Sequence, residues 1–447
     1  MNVIIIGAGN VGSTIAGVLS LTHNILMIET DTKRANIARS VFNVSMLNEN
    51  GVNPRVIEDA ISRHSADIII AATPDDGDNL FVCIVAKNVK DSIRTVARVR
   101  DPDFIMRTCD GKYFGADDII SPELTAAKKL ANLSLFENAV DYDEIGSLDL
   151  VAVVLQVTGM HEKLVGKTAM DLSLPSDCGI AAIYRNDSVI PYRRSTEIRA
   201  GDLLFVIGTH SAVADLNDMM GYTRKIKDVI IIGGGIFGSN VAKILEKKKK
   251  YIKLIENDQE RCRRLAEDMN SVIVINADGI DPDILRSENV GRADVVVFAT
   301  ESDEKNLLGC LVSRDLGALK VVSRYTDRKY EDVFAVIGIK TIVGYHRLIA
   351  NEITKTLISN ARTVMRMDHD NEMLMSVSMR SSRVKGELLG DLQFPEGVCA
   401  VCIIREGRTI FPRLDTRIEE NDDLLLYAHE AKMHKIEKML GTKMTGV

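Results

Sequence analysis

The chain opens on an unbroken apolar run, Val3 to Ile6, which passes into the loop Gly7, Ala8, Gly9, Asn10, Val11, Gly12 and then into a helical run from Ser13. An apolar run without alternation predicts a strand buried on both faces, at the centre of a parallel sheet. The figure returns in mid-chain as Val229 to Ile232, followed by Gly233, Gly234, Gly235, Ile236, Phe237, Gly238 and a helical run from Ser239. Elsewhere the pattern is shorter. Val151 to Val157, Ile180 to Tyr184 and Leu203 to Ile207 are brief apolar runs separated by Gly, Pro and Asp, which read as strands and turns of a small module. Two stretches carry helical spacing between these regions. Ser121-Pro122-Glu123 supplies an N-cap, a first-turn proline and a first-turn acid, and Leu124, Ala127, Ala131 and Leu135 follow on one face. His346 to Arg362, with Leu348, Ile349, Ile353 and Leu357, occupies the equivalent place later.

These recurrences belong to one long internal repeat. The segment from Asn2 aligns with that from Asp228, and the segment from Ala66 with that from Ala293, placing Thr73 against Thr300, Asp76 against Asp303, Asn79 against Asn306 and Cys83 against Cys310. The displacement stays between 226 and 228 residues throughout. The small modules repeat more faintly, with Gly201-Asp202-Leu203-Leu204 against Asp422-Asp423-Leu424-Leu425. The expected fold class is therefore α/β: two tandem Rossmann-like, doubly wound parallel sheets, each followed by a small strand-rich α+β module. The expected boundaries are 1–120, 138–220, 226–343 and 368–447.

Composition narrows the function classes. With 447 residues, 46% hydrophobic and 27% charged, the chain is an ordinary globular one of several domains. Its net charge of -7 repels nucleic-acid phosphates, so nucleic acid is not an expected partner. No apolar run reaches the roughly 18 residues that cross a bilayer, and no signal peptide is read at the start. Seven scattered cysteines suggest no disulfide framework and fit a reducing cytoplasm. Cys399 and Cys402 have CxxC spacing but lie in the apolar strand Val398 to Ile404 with no second ligand pair nearby, so they read as core. The histidines, His161 and His210 among them, lack ligand spacing, and no metal is expected.

Both glycine loops sit between a strand and a helix, the context that gives this motif its meaning. Glycine lets the chain turn tightly and approach a pyrophosphate, whose charge the helix N-terminus then holds. An acid is expected at the end of the next strand to accept from the adenosine ribose hydroxyls. Glu29 lies 22 positions after Gly7, and Glu256 lies 23 after Gly233. A carboxylate there repels a 2′-phosphate, so NAD(H) is favoured over NADP, with ATP or ADP also allowed. Asn50 and Asp278 follow the third strands, either to reach adenine or ribose or to serve the turn. Thr73, followed by Pro74, and Thr300 are expected to end the fourth strands, and Arg98 and Arg324 the fifth, where an arginine either neutralises phosphate or pairs with a neighbour.

The paired loops, the strand-end glutamates, the Ala-Thr-x-x-Asp-x-x-Asn runs and the Asp-Leu-Leu modules resemble the TrkA family of Trk potassium uptake proteins, and more broadly tandem RCK domains. The resemblance covers essentially the whole chain. It implies a cytosolic regulatory subunit, peripheral to the inner face of the membrane, that assembles in a ring beneath a potassium translocator of the Trk type and gates it when nucleotides bind. Eight RCK units per ring imply a homotetramer of this two-unit chain. It also implies nucleotide contacts from the glycine loops, the strand-end acids, the loop after strand four and the arginine after strand five. The copies differ, since Asn50 stands against Asp278 and Val11 against Phe237.

The competing class is an NAD-dependent oxidoreductase, which needs an acid or base at the nicotinamide. Tyr325 and Lys329 have YxxxK spacing, but the first copy offers Val99 and Asp103 instead. No helix is evident to carry the pair, so no catalytic residue is assigned. Lys247 to Lys250 reads as the basic end of a helix.

Overall fold

The computed structural model describes residues 1–102, 104, 114–145, 149–168, 171–186, 188–191, 196–220, 225–357, 363–366, 372–380, 382–412 and 416–441. The first sheet contains β1 (Asn2–Ile6), β2 (Asn24–Ile28), β3 (Ser45–Leu47), β4 (Ile68–Ala71), β5 (Arg94–Arg98) and β6 (Asp118–Ile120), in the order β3-β2-β1-β4-β5-β6. All its pairings are parallel. β1 is therefore flanked on both sides, with Val3 opposite both Ile25 and Ile68, and its residues Val3 to Ile6 are essentially inaccessible. This double flanking is why its apolar run does not alternate.

A small antiparallel sheet follows: β7 (Ala139–Ile145), β8 (Leu150–Gln156), β9 (Cys178–Arg185), β10 (Ser188–Pro191) and β11 (Leu203–Thr209), ordered β10-β9-β11-β8-β7. The third sheet, β12 (Asp228–Ile232), β13 (Tyr251–Glu256), β14 (Val272–Asn276), β15 (Val295–Phe298), β16 (Lys320–Tyr325) and β17 (Ile342–Gly344), repeats the first in the order β14-β13-β12-β15-β16-β17. The fourth, β18 (Thr363–Arg366), β19 (Glu372–Ser378), β20 (Cys399–Arg405), β21 (Arg408–Ile410) and β22 (Asp423–His429), runs β18-β19-β22-β20-β21. The expected fold class, two doubly wound sheets each followed by a small strand-rich module, is the one observed.

The structure sets Asp202 against Asp422, one position off the sequence pairing with Asp423, because β11 starts at Leu203 and β22 at Asp423. The Arg185 guanidinium donates to both carboxylate oxygens of Asp202 at 2.6 and 2.7 Å, and Arg405 does the same to Asp422 at 2.7 and 2.9 Å. Each buried acid also accepts a backbone N–H, from Arg199 and from Glu419 respectively, so the turn into β11 or β22 is fastened to β9 or β20.

The chain divides into two compact units that do not coincide with its halves: Met1–Ala127 with Thr326–Arg328 and Gly344–Leu357, and Lys128–Tyr325 with Lys329–Val343 and Ile358–Val447. The first connecting helix, Pro122–Leu133, starts where the proline and acid predict, and its end stops short of Leu135. Its first residues belong to the first unit and its last residues to the second. The second connecting helix is Tyr345–Leu357; residues 358–362 of the predicted stretch lie outside the described residues. Although it follows the third sheet in sequence, this helix belongs to the first unit, where it packs on the glycine-loop helix Asn10–Leu19.

Within the second unit the two small sheets share one core. Val154, Phe205 and Ala182 pack with Leu374, Cys402 and Tyr427, and the hydroxyls of Tyr184 and Tyr427 meet at 2.9 Å. Cys402 is fully buried, and the Cys399 thiol donates to the Ala181 carbonyl, so the CxxC pair serves packing between sheets.

Candidate functional site

Each parallel sheet presents its glycine loop at the carboxyl end of its central strand. The three glycines do different work. Gly7 and Gly233 have φ of +98° and +96°, where a side chain is strained, and a Cβ on Gly12 or Gly238 would collide with the carbonyl of Gly7 or Gly233 at 1.9 or 1.8 Å. Gly9 and Gly235 differ, because a Cβ there meets no protein atom within 4 Å. Packing does not demand glycine at these two places. Open space at the mouth of a helix does suit a ligand that lies against the backbone.

The helices that follow begin without help from side chains. Asp31, Asn53 and Asp75 cap neighbouring helices, whereas Gly9 and Gly235 offer no side-chain acceptor and no acid occupies the first turn. These N-termini leave their N–H groups and partial positive charge to an anion. Behind them Val11 and Phe237 are buried, while Asn10 and Ile236 form the first turns.

Glu29 and Glu256 are where the sequence places them. Glu29 accepts from the Ala8 N–H at 2.6 Å and the Asp31 N–H at 2.8 Å; Glu256 accepts from the Gly234 N–H at 2.7 Å and the Asp258 N–H at 2.8 Å. Only 7% and 4% exposed, the two acids are fastened to the loops they serve. In the second copy Arg261 also lies 3.3 Å from Glu256. Asn48 and Asn276, which sequence reasoning passed over, donate to the backbone carbonyls of Glu29 and Glu256 at 2.6 and 3.0 Å and so hold the acid-bearing ends. Their signal was their shared place in the repeat. Asn50 and Asp278 each accept from the N–H two residues on, from Val52 and Ile280, so both form turns in this structure.

The fourth strands end at Ala71 and Phe298, two residues before Thr73 and Thr300. Backbone pairing to the central strand runs on through the Ala72 and Ala299 N–H groups, and then a buried asparagine takes over. Asn79 accepts from the Thr73 N–H at 2.9 Å and donates to the carbonyls of Thr73 and Arg98; Asn306 accepts from the Thr300 N–H at 3.2 Å and donates to those of Thr300 and Arg324. Each asparagine ties the ends of two adjacent strands together below the loop. Pro74 contributes its carbonyl, which accepts from Arg100 at 2.8 Å.

The two arginines are placed differently. Arg98 donates to the Thr73 carbonyl and pairs with the buried Glu123 at the start of the first connecting helix, and the Tyr345 hydroxyl donates to the same carboxylate at 2.6 Å. Burial would lower the Arg98 pKa, but Glu123 and Tyr345 outweigh it and hold it above its ordinary value. Arg324 donates to the Thr300 carbonyl at 2.7 Å and lies 4.1 Å over the ring of Phe237, inside its own glycine loop. The first site thus ties its arginine to a connecting helix, and the second stacks it on the loop.

The two residues of the YxxxK spacing lie on different elements. Tyr325 closes β16 and is buried in the core, whereas Lys329 opens the helix Lys329–Val336 and rests 5.1 Å over the ring of Tyr330. A helix is present here that the sequence reading did not find, and it carries only Lys329. Among the described residues no cluster of three or more His, Cys, Asp or Glu forms a metal site, and no helix is long and apolar enough to cross a membrane.

The comparisons agree with this geometry. The TrkA-N domain family matches residues 3–122 and 229–345, and the TrkA-C domain family matches 157–221 and 374–441. The chain is 33% identical to a Trk system potassium uptake protein TrkA homolog from Archaeoglobus fulgidus, over 98% of this chain and 100% of the relative. It is 31% identical to TrkA homolog 1 of Methanosarcina mazei, over 98% and 99%. Among solved structures, the GsuK RCK domain superposes with a TM-score of 0.65 at 18% identity, over 98% of this chain and 95% of that one. The GsuK channel bound to NAD gives 0.63 at 18% identity, over 98% and 79%. Two glycine loops with anchored acids, two small modules and full-length similarity together place this chain in the TrkA family of Trk system potassium uptake proteins.

Proposed function

We propose that the chain is a regulatory subunit that binds NAD(H), with ATP or ADP as competitors, and gates a membrane potassium translocator of the Trk type without catalysing a reaction itself. The observation that carries this reading is the open backbone at Gly9 and Gly235, in front of uncapped helix N-termini and beside the anchored acids Glu29 and Glu256. The acids have oxygens positioned beside the loop, as a ribose-binding carboxylate requires, and would repel a 2′-phosphate. Support for the ligand class comes from the similar fold of a channel described as bound to NAD, and of one described as bound to ADP. The burial of Tyr325 in β16, with Lys329 on the following helix, favours sensing over hydride transfer.

We further propose four domains at 1–120, 138–220, 226–343 and 368–447, and a homotetramer held at the inner face of the membrane through its translocator. The test is titration calorimetry with NADH, NAD, NADP and ADP on the full chain. NADH binding that weakens about tenfold or more in Glu29→Ala and Glu256→Ala is expected from the loss of charge-assisted hydrogen bonds. Equal affinity for NADP and NAD, unchanged by these substitutions, would overturn the assignment.

A further inference from the structure

The fifth strands of the two parallel sheets carry a second pair of basic residues, four positions before the site arginines: Arg94 before Arg98 and Lys320 before Arg324. Both reach a connecting helix that belongs, in sequence, to the opposite half. Arg94 donates through Nη2 to the Thr356 carbonyl at 2.5 Å, in the last turn of Tyr345–Leu357, and its Nε donates to Asp118 at 2.9 Å. Lys320, buried, donates to the carbonyl of Leu133, the last residue of the first connecting helix, at 2.8 Å, and to those of Phe136 at 2.6 Å in the loop that follows and Ala139 at 2.7 Å at the start of β7. A helix C-terminus leaves its last carbonyls unpaired and carries partial negative charge, which a basic side chain satisfies.

We propose that Lys320 and Arg94 are coupling residues that let the nucleotide site of each half act on the other half through the helix whose end they hold. The proposal rests on the regulatory reading above and concerns how its two sites communicate. The route is short. Strand β16 carries Arg324 at the second site and Lys320 at its opposite end, about 13 Å away at strand rise. Lys320 grips the end of the first connecting helix, and the start of that same helix presents Glu123 to Arg98 of the first site. A ligand that shifts Arg324 off Phe237 therefore pulls on a rigid strand, and the helix it holds ends on the first-site arginine. Coupling of this kind is reciprocal and commonly changes affinity about 5- to 150-fold.

The experiment is NADH titration calorimetry at pH 6.5, where the Lys320 amine, which burial pulls down to about 7 against the nearby Glu137 carboxylate, keeps its three N–H donors. Full-length wild type is compared with Gly235→Asp and Gly9→Asp, which leave one competent site each, and all three are repeated carrying Lys320→Met, Lys320→Arg or Arg94→Met. The expected result is a wild-type isotherm that departs at least about fivefold from the sum of the single-site isotherms. Lys320→Met and Arg94→Met should restore that simple sum with single-site affinities unchanged, while Lys320→Arg keeps the coupling. Wild-type coupling retained in Lys320→Met and Arg94→Met overturns the proposal, as does NADH binding without coupling in wild type. If Lys320→Met fails to fold, Arg94→Met, which loses its contact to the Thr356 carbonyl of the second connecting helix, decides alone. No NADH binding in any protein defeats the nucleotide reading and this proposal with it, a result distinct from binding without coupling.

Discussion

Asn79 and Asn306 show how much a single buried side chain can organise. Each is fully buried and makes three backbone hydrogen bonds that close the ends of the fourth and fifth strands. Asn79→Ala should cost about 2 to 3 kcal/mol, because the half-buried Thr73 N–H and Arg98 carbonyl lose their Asn79 partner. Chemical denaturation would show this as a lower midpoint, and nucleotide affinity should fall with it. The thiols make a different forecast. Burial pushes Cys83, Cys178, Cys310 and Cys402 up to about 12 from an ordinary value of 9.0. The unfolded chain loses these protons first, so the contribution of the four thiols is intact below pH 9 and is lost as pH rises toward 12. Alkaline unfolding should accordingly steepen above pH 9, and these four should resist alkylation in the native protein at pH 8, as peptide mapping would show. The glutamates and glycines were legible because a fixed motif spacing sets them, whereas the partner of Arg98 was not, since no motif ties Glu123 to the fifth strand.

The connecting helices and the small-module turns depend on charges removed from water. Asp202→Ala would leave Arg185 partly buried without its carboxylate, and about 3 kcal/mol of destabilisation is expected. Asp422→Ala should cost a similar amount through Arg405, and thermal unfolding would reveal both. Apolar periodicity announced each helix, and the Ser-Pro-Glu start of the first was readable residue by residue. Where each helix docks was not readable, because a buried stripe such as Ala126, Ala127, Leu130 and Ala131 fits any apolar groove of suitable shape. The helix Lys329–Val336 escaped notice for a related reason: it is short, and Phe334 alone of its side chains is buried.

The proposed homotetramer is testable at apolar surfaces that the two parallel-sheet regions expose. Phe81 and Ile84 on the helix Asp76–Val89 are 42% and 39% exposed, and Leu308, the repeat counterpart of Phe81, is 50% exposed. Apolar side chains at equivalent places in both copies suit contacts between chains. Phe81→Glu and Leu308→Glu should reduce a particle of about four chain masses to smaller species in light scattering, with little change in nucleotide affinity. A wild-type protein that is monomeric at micromolar concentration, with and without NADH, would defeat the tetramer. The duplication, the parallel sheets and the residues of both glycine loops follow from the order of side chains alone, because strand burial, tight turning and acid placement act over a few residues or a fixed repeat. The exchange that puts Tyr345–Leu357 in the first unit, the joint core of the small sheets and the different settings of Arg98 and Arg324 follow only from the packed chain. Their physical reason is shared: each depends on which of several chemically adequate surfaces finally excludes water, a choice made by shape between segments far apart in the chain.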